Sequence, residues 1–150
     1  RGDVHYIKIG NRTNIQDNSC LHTLNGKAPV ILGDDVTIGH SVTLHGCIVH
    51  DGALIGMGAT VLDHAEVGKG AIVAAGALVL SNTKIGDGEL WAGVPAKFIK
   101  KVDPVQAAEL NQTYARHYIE YSDWFRNADS DVRNTQVVTT SEDYRAYDEE

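Results

Sequence analysis

Aliphatic residues recur six positions apart at Leu32, Ile38 and Leu44 and, after one five-residue step, at Val49, Ile55, Val61, Val67, Val73, Val79 and Ile85. Four residues after most of them comes a small or β-branched residue: Val36, Val42, Ala53, Ala59, Ala65, Ala71, Ala77 and Thr83. Glycine often follows the aliphatic position directly, as at Gly33, Gly39, Gly56, Gly68 and Gly86. A period of six is neither the 3.6 of a helix nor a plain strand alternation, and a hexapeptide period is the signature of a parallel β-helix. Each hexapeptide predicts one short strand and one corner, with the aliphatic and small residues inward and glycine serving the bend. Three faces make a coil of about 18 residues, and coils stack at the ~4.8 Å strand spacing. A β-sandwich of short strands does not hold one six-residue phase over ten units.

The pattern stops sharply. All fifteen glycines lie at or before Gly93. Asp103 and Pro104 then read as N-cap and first helical residue, with Gln106 at the capping-box position. Val105, Ala108, Ala115, Tyr118, Ser122 and Phe125 follow at helical spacing and predict one amphipathic helix to about Arg126. Tyr114, Tyr118, Tyr121 and Trp124 form its expected docking face. The organisation expected is therefore a β-helix over 1–102, a C-terminal helix over 103–126 packed on it, and an acidic, glycine-free arm over 127–150. The fold class is all-β with one C-terminal helix.

Composition narrows the function. Of the net charge of −7, the seven acids and two arginines after Arg126 supply −5, leaving the body near neutral at −2. That balance argues against a nucleic-acid backbone or an anionic membrane as partner, and no apolar run approaches the roughly 20 residues of a membrane span. Two cysteines, Cys20 and Cys47, make no disulfide framework, so a reducing compartment, the cytoplasm, is expected. On the same ground the Arg1-Gly2-Asp3 tripeptide and the sequons at Asn11 and Asn111 read as incidental. The chain begins at Arg1 without a Met, which leaves two expectations, a shortened chain or one whose N-terminal segment precedes Arg1.

Among seven histidines, register separates the interesting ones. His22 follows Leu21 and His45 follows Leu44, directly after inward positions, while His40 stands two after Ile38. All three face outward and are either solvated surface residues or metal ligands. Counting Leu21 and Ile38 as three strands apart puts His22 and His40 on one face in adjacent coils, with His45 one strand further on. Three imidazoles suit zinc and leave a fourth position for water, the arrangement of a catalytic site. His50 and His64 read as surface residues without polar partners.

Several strings together resemble the gamma-class carbonic anhydrases: Arg1-Gly2-Asp3, Arg12-Thr13-Asn14-Ile15-Gln16-Asp17 leading to His22, Ile38-Gly39-His40, Leu44-His45-Gly46-Cys47, Leu54-Ile55-Gly56-Met57-Gly58-Ala59 and Leu90-Trp91-Ala92-Gly93-Val94-Pro95-Ala96-Lys97. The resemblance covers Arg1 to about Arg126. It implies a left-handed β-helix and a homotrimer with metal at each subunit boundary, His22 and His45 coming from one chain and His40 from its neighbour. It further implies ion pairing of Arg1 and Asp3 at that boundary, and catalytic roles beside the metal-bound solvent for Gln16 and Asp17. Tyr118 resembles a family tyrosine near the site. Family members generally carry further coils ahead of the position of Arg1.

The activity implied is reversible hydration of CO2 to bicarbonate by a metal-bound hydroxide. The metal is Zn2+, with Fe2+ or Co2+ as alternatives, and it lowers the pKa of its water to about 7, carbonic anhydrases being the reference case for that shift. Turnover also needs a proton acceptor. Where a well-known active relative has a glutamate-bearing loop after the first histidine, this chain has Thr23-Leu24-Asn25-Gly26-Lys27, and an asparagine does not carry protons. Weak hydration is therefore expected. Two other functions compete with it: a catalytically silent trimeric scaffold that retains metal, and acyl transfer from coenzyme A, which would use one histidine as a base and rests on fold analogy alone.

Overall fold

The computed structural model describes residues 1–103, 105, 109, 113 and 117–122. Within them the chain winds as a left-handed parallel β-helix. The first coil holds β1 (Ile7–Ile9), β2 (Asn14–Ile15) and β3 (Cys20–His22), and the second β4 (Val30–Leu32), β5 (Thr37–Ile38) and β6 (Thr43–His45). The third holds β7 (Ile48–Val49), β8 (Leu54–Ile55) and β9 (Thr60–Val61), and the fourth β10 (Glu66–Val67), β11 (Ile72–Val73) and β12 (Leu78–Val79). The last comprises β13 (Lys84–Ile85) and β14 (Glu89–Ala92), onto which β15 (Lys97–Lys101) folds back antiparallel. Strands three apart stack into three faces: β1-β4-β7-β10-β13, β2-β5-β8-β11-β14 and β3-β6-β9-β12.

The six-residue aliphatic positions and the small residues four beyond them line the prism interior. Ile38, Leu44, Ile55, Val61, Val67 and Val73 are fully shielded, and so are Ala53, Ala59 and Ala71. Each large side chain removed from water stabilises the coil by about 1.5–3 kcal/mol, with the alanines leaving room for it across the narrow interior. At the first coil the inward positions are less shielded, Ile9 and Ile15 being 47% and 38% exposed.

Register varies along the axis. From the third coil onward, paired residues lie 18 apart, as Ile48 with Glu66 and Thr60 with Leu78. Between the first and second coils the offset is 23 (Ile7 with Val30, Cys20 with Thr43), and between the second and third it is 17 (Thr37 with Leu54, Thr43 with Thr60). The additional five residues form the turn after His22, closed by an antiparallel bridge between Leu24 and Ala28. The missing residue is at the Gly46-Cys47 corner. This corrects the expected placement of the histidines: Leu21 pairs with Leu44 rather than standing above or below Ile38, so His22 shares a face with His45, and His40 does not lie on it.

The return strand β15 was not anticipated from the repeat. It covers the backbone edge of β14, and Lys97, Lys100 and Lys101 on it keep the new outer edge charged, a common protection against edge pairing. Beyond it, the Val105 N–H donates to Asp103 Oδ1 at 2.8 Å, as an N-cap requires, and residues 105, 109, 113 and 117–122 are helical. By contact the chain divides into Arg1–Ile119 and Glu120–Glu150. Of the second unit only Glu120, Tyr121 and Ser122 are described, all exposed. Pro104, Gln106, Tyr114, Trp124 and the expected arm over 127–150 lie outside the described residues. Among the described residues, no helix is long and apolar enough to cross a membrane.

Candidate metal centre

Strand alternation sets the centre. With Leu21 and Leu44 turned inward, their neighbours His22 and His45 must turn outward, and parallel pairing places one directly above the other. The ring centroids are 5.1 Å apart and the planes inclined by 57°. His22 Nδ1 faces His45 Nε2 at 3.1 Å. Two imidazole nitrogens bound tetrahedrally to one zinc, each ~2.0–2.1 Å from it, sit about 3.3 Å apart, so the pair is close to that spacing.

Carboxylates hold the far side of each ring. His45 Nδ1 donates to Asp63 Oδ1 at 2.6 Å, and His22 Nε2 lies 3.0 Å from Asp3 Oδ1. An ionised carboxylate only accepts, so the Asp63 contact draws the His45 proton outward and leaves its Nε2 bare, and the Asp3 contact does the same for His22 in one of its two tautomers. In that tautomer the two lone pairs at this distance call for a cation between them, and the donor set fits a divalent metal. Arg1 fronts the same group: its Nε pairs with Asp3 Oδ2 at 2.9 Å, and its Nη2 lies 3.1 Å from His22 Nε2. In the other His22 tautomer, Arg1 donates to Nε2 and His22 Nδ1–H donates to His45 Nε2, which gives the pair a hydrogen-bonded resting form. Partial desolvation raises the Asp3 carboxyl, but the His22 hydrogen bond and the Arg1 charge outweigh it and the net shift is downward. Asp3 is thus held ionised.

A second group lies at the corner between the β5 and β6 faces. His40 is 40% exposed there, with Nδ1 3.5 Å from Asp17 Oδ2, too long for a hydrogen bond but close enough for attraction. Gln16 beneath is nearly buried, its amide donating to Asn14 Oδ1 at 3.3 Å. The candidate residues therefore form two halves on one chain: His22, His45, Arg1 and Asp3 in one, His40, Asp17 and Gln16 in the other. Among the described residues no three His, Cys, Asp or Glu side chains of one chain converge as a metal site. Tyr118 is helical and half-buried.

Two residues were missed in the sequence. Asp63 is the first, and correct register would have found it, since Asp63 falls opposite Gly46 beside His45. The second is His50, read as lacking a polar partner; its Nε2 donates to Glu66 Oε1 at 2.7 Å, and Lys84 pairs with the other oxygen of Glu66. His64 is exposed, as expected. Beside the centre, burial chiefly, with the Asp63 charge adding, pushes the Cys47 thiol up to about 12, so it stays protonated and inert.

A left-handed hexapeptide β-helix bearing outward imidazoles backed by carboxylates defines the class, and the repeat itself matches the family model described as bacterial transferase hexapeptide (six repeats) over residues 46–81. Among solved structures, a hexapeptide transferase family protein from Anaplasma phagocytophilum is 41% identical with a TM-score of 0.76, over 82% of this chain and 71% of that one. A protein named carbonic anhydrase from Geobacillus kaustophilus (strain HTA426) is 51% identical over 126 residues, 84% of this chain and 68% of its own length. The chain belongs to the gamma carbonic anhydrase family. "Gamma carbonic anhydrase 1, mitochondrial" of Arabidopsis thaliana is 52% identical over 118 residues, which are 75% of this chain and 43% of the plant protein. The chain thus spans less than half the length of that relative.

Proposed function

We propose that this chain interconverts CO2 and bicarbonate at a metal centre shared between neighbouring copies of a homotrimer. The observation that carries this reading is the imidazole pair, two ring nitrogens 3.1 Å apart whose partners across the rings are carboxylates. His22 and His45 of one chain and His40 of its neighbour are the proposed ligands. Supporting the shared site, the two halves carry matching apolar companions. Leu62 and then Leu80, 45% exposed, continue the outward column above His45, while Met57, 59% exposed, stands one coil above His40. Setting the His40 corner of one copy against the His22–His45 face of the next, coil against coil, would bring Met57 level with Leu62, and three such heterologous contacts close a ring.

When bound, the metal, Zn2+ with Fe2+ or Co2+ as alternatives, supplies the Lewis acidity that makes a water nucleophilic near neutral pH. Asp3 backs the His22 ring and Asp63 the His45 ring on the sides away from the two facing nitrogens. Arg1 balances the Asp3 charge at the boundary. Gln16 and Asp17 arrive with His40 and are the proposed groups that orient the reacting water and substrate. Hydration releases a proton, CO2 + H2O giving HCO3− + H+, and the turn after His22 offers Asn25 but no carboxylate to take it. Buffer or Tyr118 is left as acceptor. General acid–base assistance is worth ~10²–10⁴-fold, so weak activity is expected. The thiols of Cys20 and Cys47 are unpaired, which suits a reducing compartment such as the cytoplasm.

The test is stopped-flow CO2 hydration on metal-loaded protein, with metal analysis and light scattering on the same preparation. Slow hydration that rises with buffer concentration and pH, at one metal per chain in a trimer, supports the reading. Metal uptake with no hydration at any buffer strength assigns the silent scaffold instead, and acyl transfer without metal assigns the transferase. A monomer that binds metal at full stoichiometry overturns the shared site.

A further inference from the structure

Asp63 stands two residues after the inward Val61, a slot that recurs along the repeat. At the corners between the first and second faces the same slot holds Asp34, Asp51 and Asp87, two after Leu32, Val49 and Ile85. Each of those three gives its Oδ1 to the backbone of the coil below: Asp34 accepts from the Asn11 N–H at 2.7 Å, Asp51 from the Asp34 N–H at 3.0 Å and Asp87 from the Lys69 N–H at 2.7 Å. They are staples between coils. By that pattern Asp63 would accept from its register partner, Gly46. The Gly46 N–H is already taken, donating to the His22 carbonyl at 3.0 Å, because β3 and β6 run one residue longer than the strands stacked on them. With the backbone donor occupied, Asp63 Oδ1 accepts from His45 Nδ1 at 2.6 Å instead.

Gly46 makes the diversion possible. Its φ is +55°, and a Cβ there would come within 2.4 Å of Asp63 Oδ1, so a side chain at 46 would evict the carboxylate from its seat.

We propose that Asp63 is a positioning residue for the metal centre: it fixes His45 as the Nδ1–H tautomer and aims the ring so that Nε2 presents its lone pair to the metal. This rests on the metal reading above and adds to it the group that sets one ligand's protonation and orientation. A ligating imidazole whose other nitrogen donates to a carboxylate is both oriented and made more basic, and loss of such a partner weakens metal binding by about 10–100-fold. The staples Asp34, Asp51 and Asp87 instead give their Oδ1 to a backbone N–H of the neighbouring coil.

Two measurements on the full chain test it. In metal-free protein labelled at histidine with nitrogen-15, His45 is expected as the Nδ1–H tautomer in the wild type and as a mixture in Asp63→Ala. In competition titrations with Zn2+, Asp63→Ala is expected to bind about 10–100-fold more weakly, with Asp63→Asn, which keeps an acceptor oxygen at the same place, between the two. The proposal is overturned if Asp63→Ala binds Zn2+ within about twofold of wild type, or if wild-type His45 carries its proton on Nε2. Should Asp63→Ala fail to fold, the wild-type tautomer and the Asp63→Asn titration decide. Wild-type protein that takes up no Zn2+ overturns the metal reading, while the tautomer in metal-free protein still decides the role of Asp63.

Discussion

The coils from β7 to β13 and the two coils before them are built from the same repeat and behave differently. In the later coils two-residue strands alternate with four-residue corners, and every pairing is offset by 18. In the earlier coils β3 and β6 have three residues, and each is followed by an irregular corner: an inserted turn after His22, and only Gly46 and Cys47 after His45. The regular slots after Val61 and Val79 hold Leu62 and Leu80, where the irregular coils hold imidazoles. Strict period therefore carries the stacking energy, and departures from it hold the candidate centre, as expected where a functional site overrides local consistency.

That division predicts opposite responses to substitution. On the proposed reading His45→Ala removes a ligand but no core contact. Four-ligand structural zinc sites bind with about 10–16 kcal/mol, roughly 3–4 per ligand, so Zn2+ affinity should fall by about 10²–10³-fold. The melting temperature of the metal-free protein should stay within a few degrees of wild type. Isothermal titration and thermal melting on one preparation check both, and unchanged affinity removes His45 from the centre. Ile55→Ala reverses the pattern: Ile55 is fully buried in the regular part, and its truncation should cost about 2–5 kcal/mol in urea unfolding, with metal bound per folded chain unchanged. A fall in metal occupancy at equal folded fraction would show that the two regions are not separable.

The same division explains what could be read before the structure. The period of six fixed the inward positions, and Ile38, Leu44, Ile55, Val61 and Val67 are all shielded as it requires. The outward turn of His22 and His45 followed from their places beside Leu21 and Leu44. Their stacking did not, because a separation of 17 between Leu21 and Ile38 looks like one coil, whereas the turn after His22 lengthens that coil to 23 and pairs Leu21 with Leu44. Periodicity cannot tell a shortened coil from a lengthened one; the Leu24–Ala28 bridge decides it. Asp63 was hidden by the same miscount, and β15 because it lies beyond the repeat.

Glycines at left-handed corners sharpen the comparison at smaller scale. Gly58 has φ of +68° with nothing within 4 Å of an added Cβ, so Gly58→Ala should cost only the left-handed backbone penalty of about 1–2 kcal/mol. Gly46→Ala carries that penalty and a collision with Asp63 as well. It should destabilise by more than Gly58→Ala and weaken Zn2+ binding, which Gly58→Ala should leave alone. Equal effects of the two on metal affinity would mean that the Gly46 corner has no special tie to the centre.

The smallest effect concerns the other imidazole–carboxylate pair, on the face of β7 and β10. Glu66 accepts from Lys84 and from His50 Nε2, a closed group with no bare ring nitrogen facing another. The Lys84 hydrogen bond first, and then that of His50, hold the Glu66 carboxyl below its ordinary value of 4.5. A carboxyl whose pKa is lower folded than unfolded stabilises the fold above the unfolded value, and that contribution fades as pH falls through the folded one. Glu66 is about one-third exposed at its side chain, so the whole contribution is at most about 1 kcal/mol. Glu66→Gln should therefore melt slightly below wild type at pH 7, and the gap should close as the pH is lowered from about 5 toward 3. Metal affinity should not change, because this pair is complete without a cation. Thermal melts across that range settle the matter: a gap that persists unchanged at pH 3 would mean that Glu66 acts through packing, and that this pair does not mirror the charge logic of His45 and Asp63.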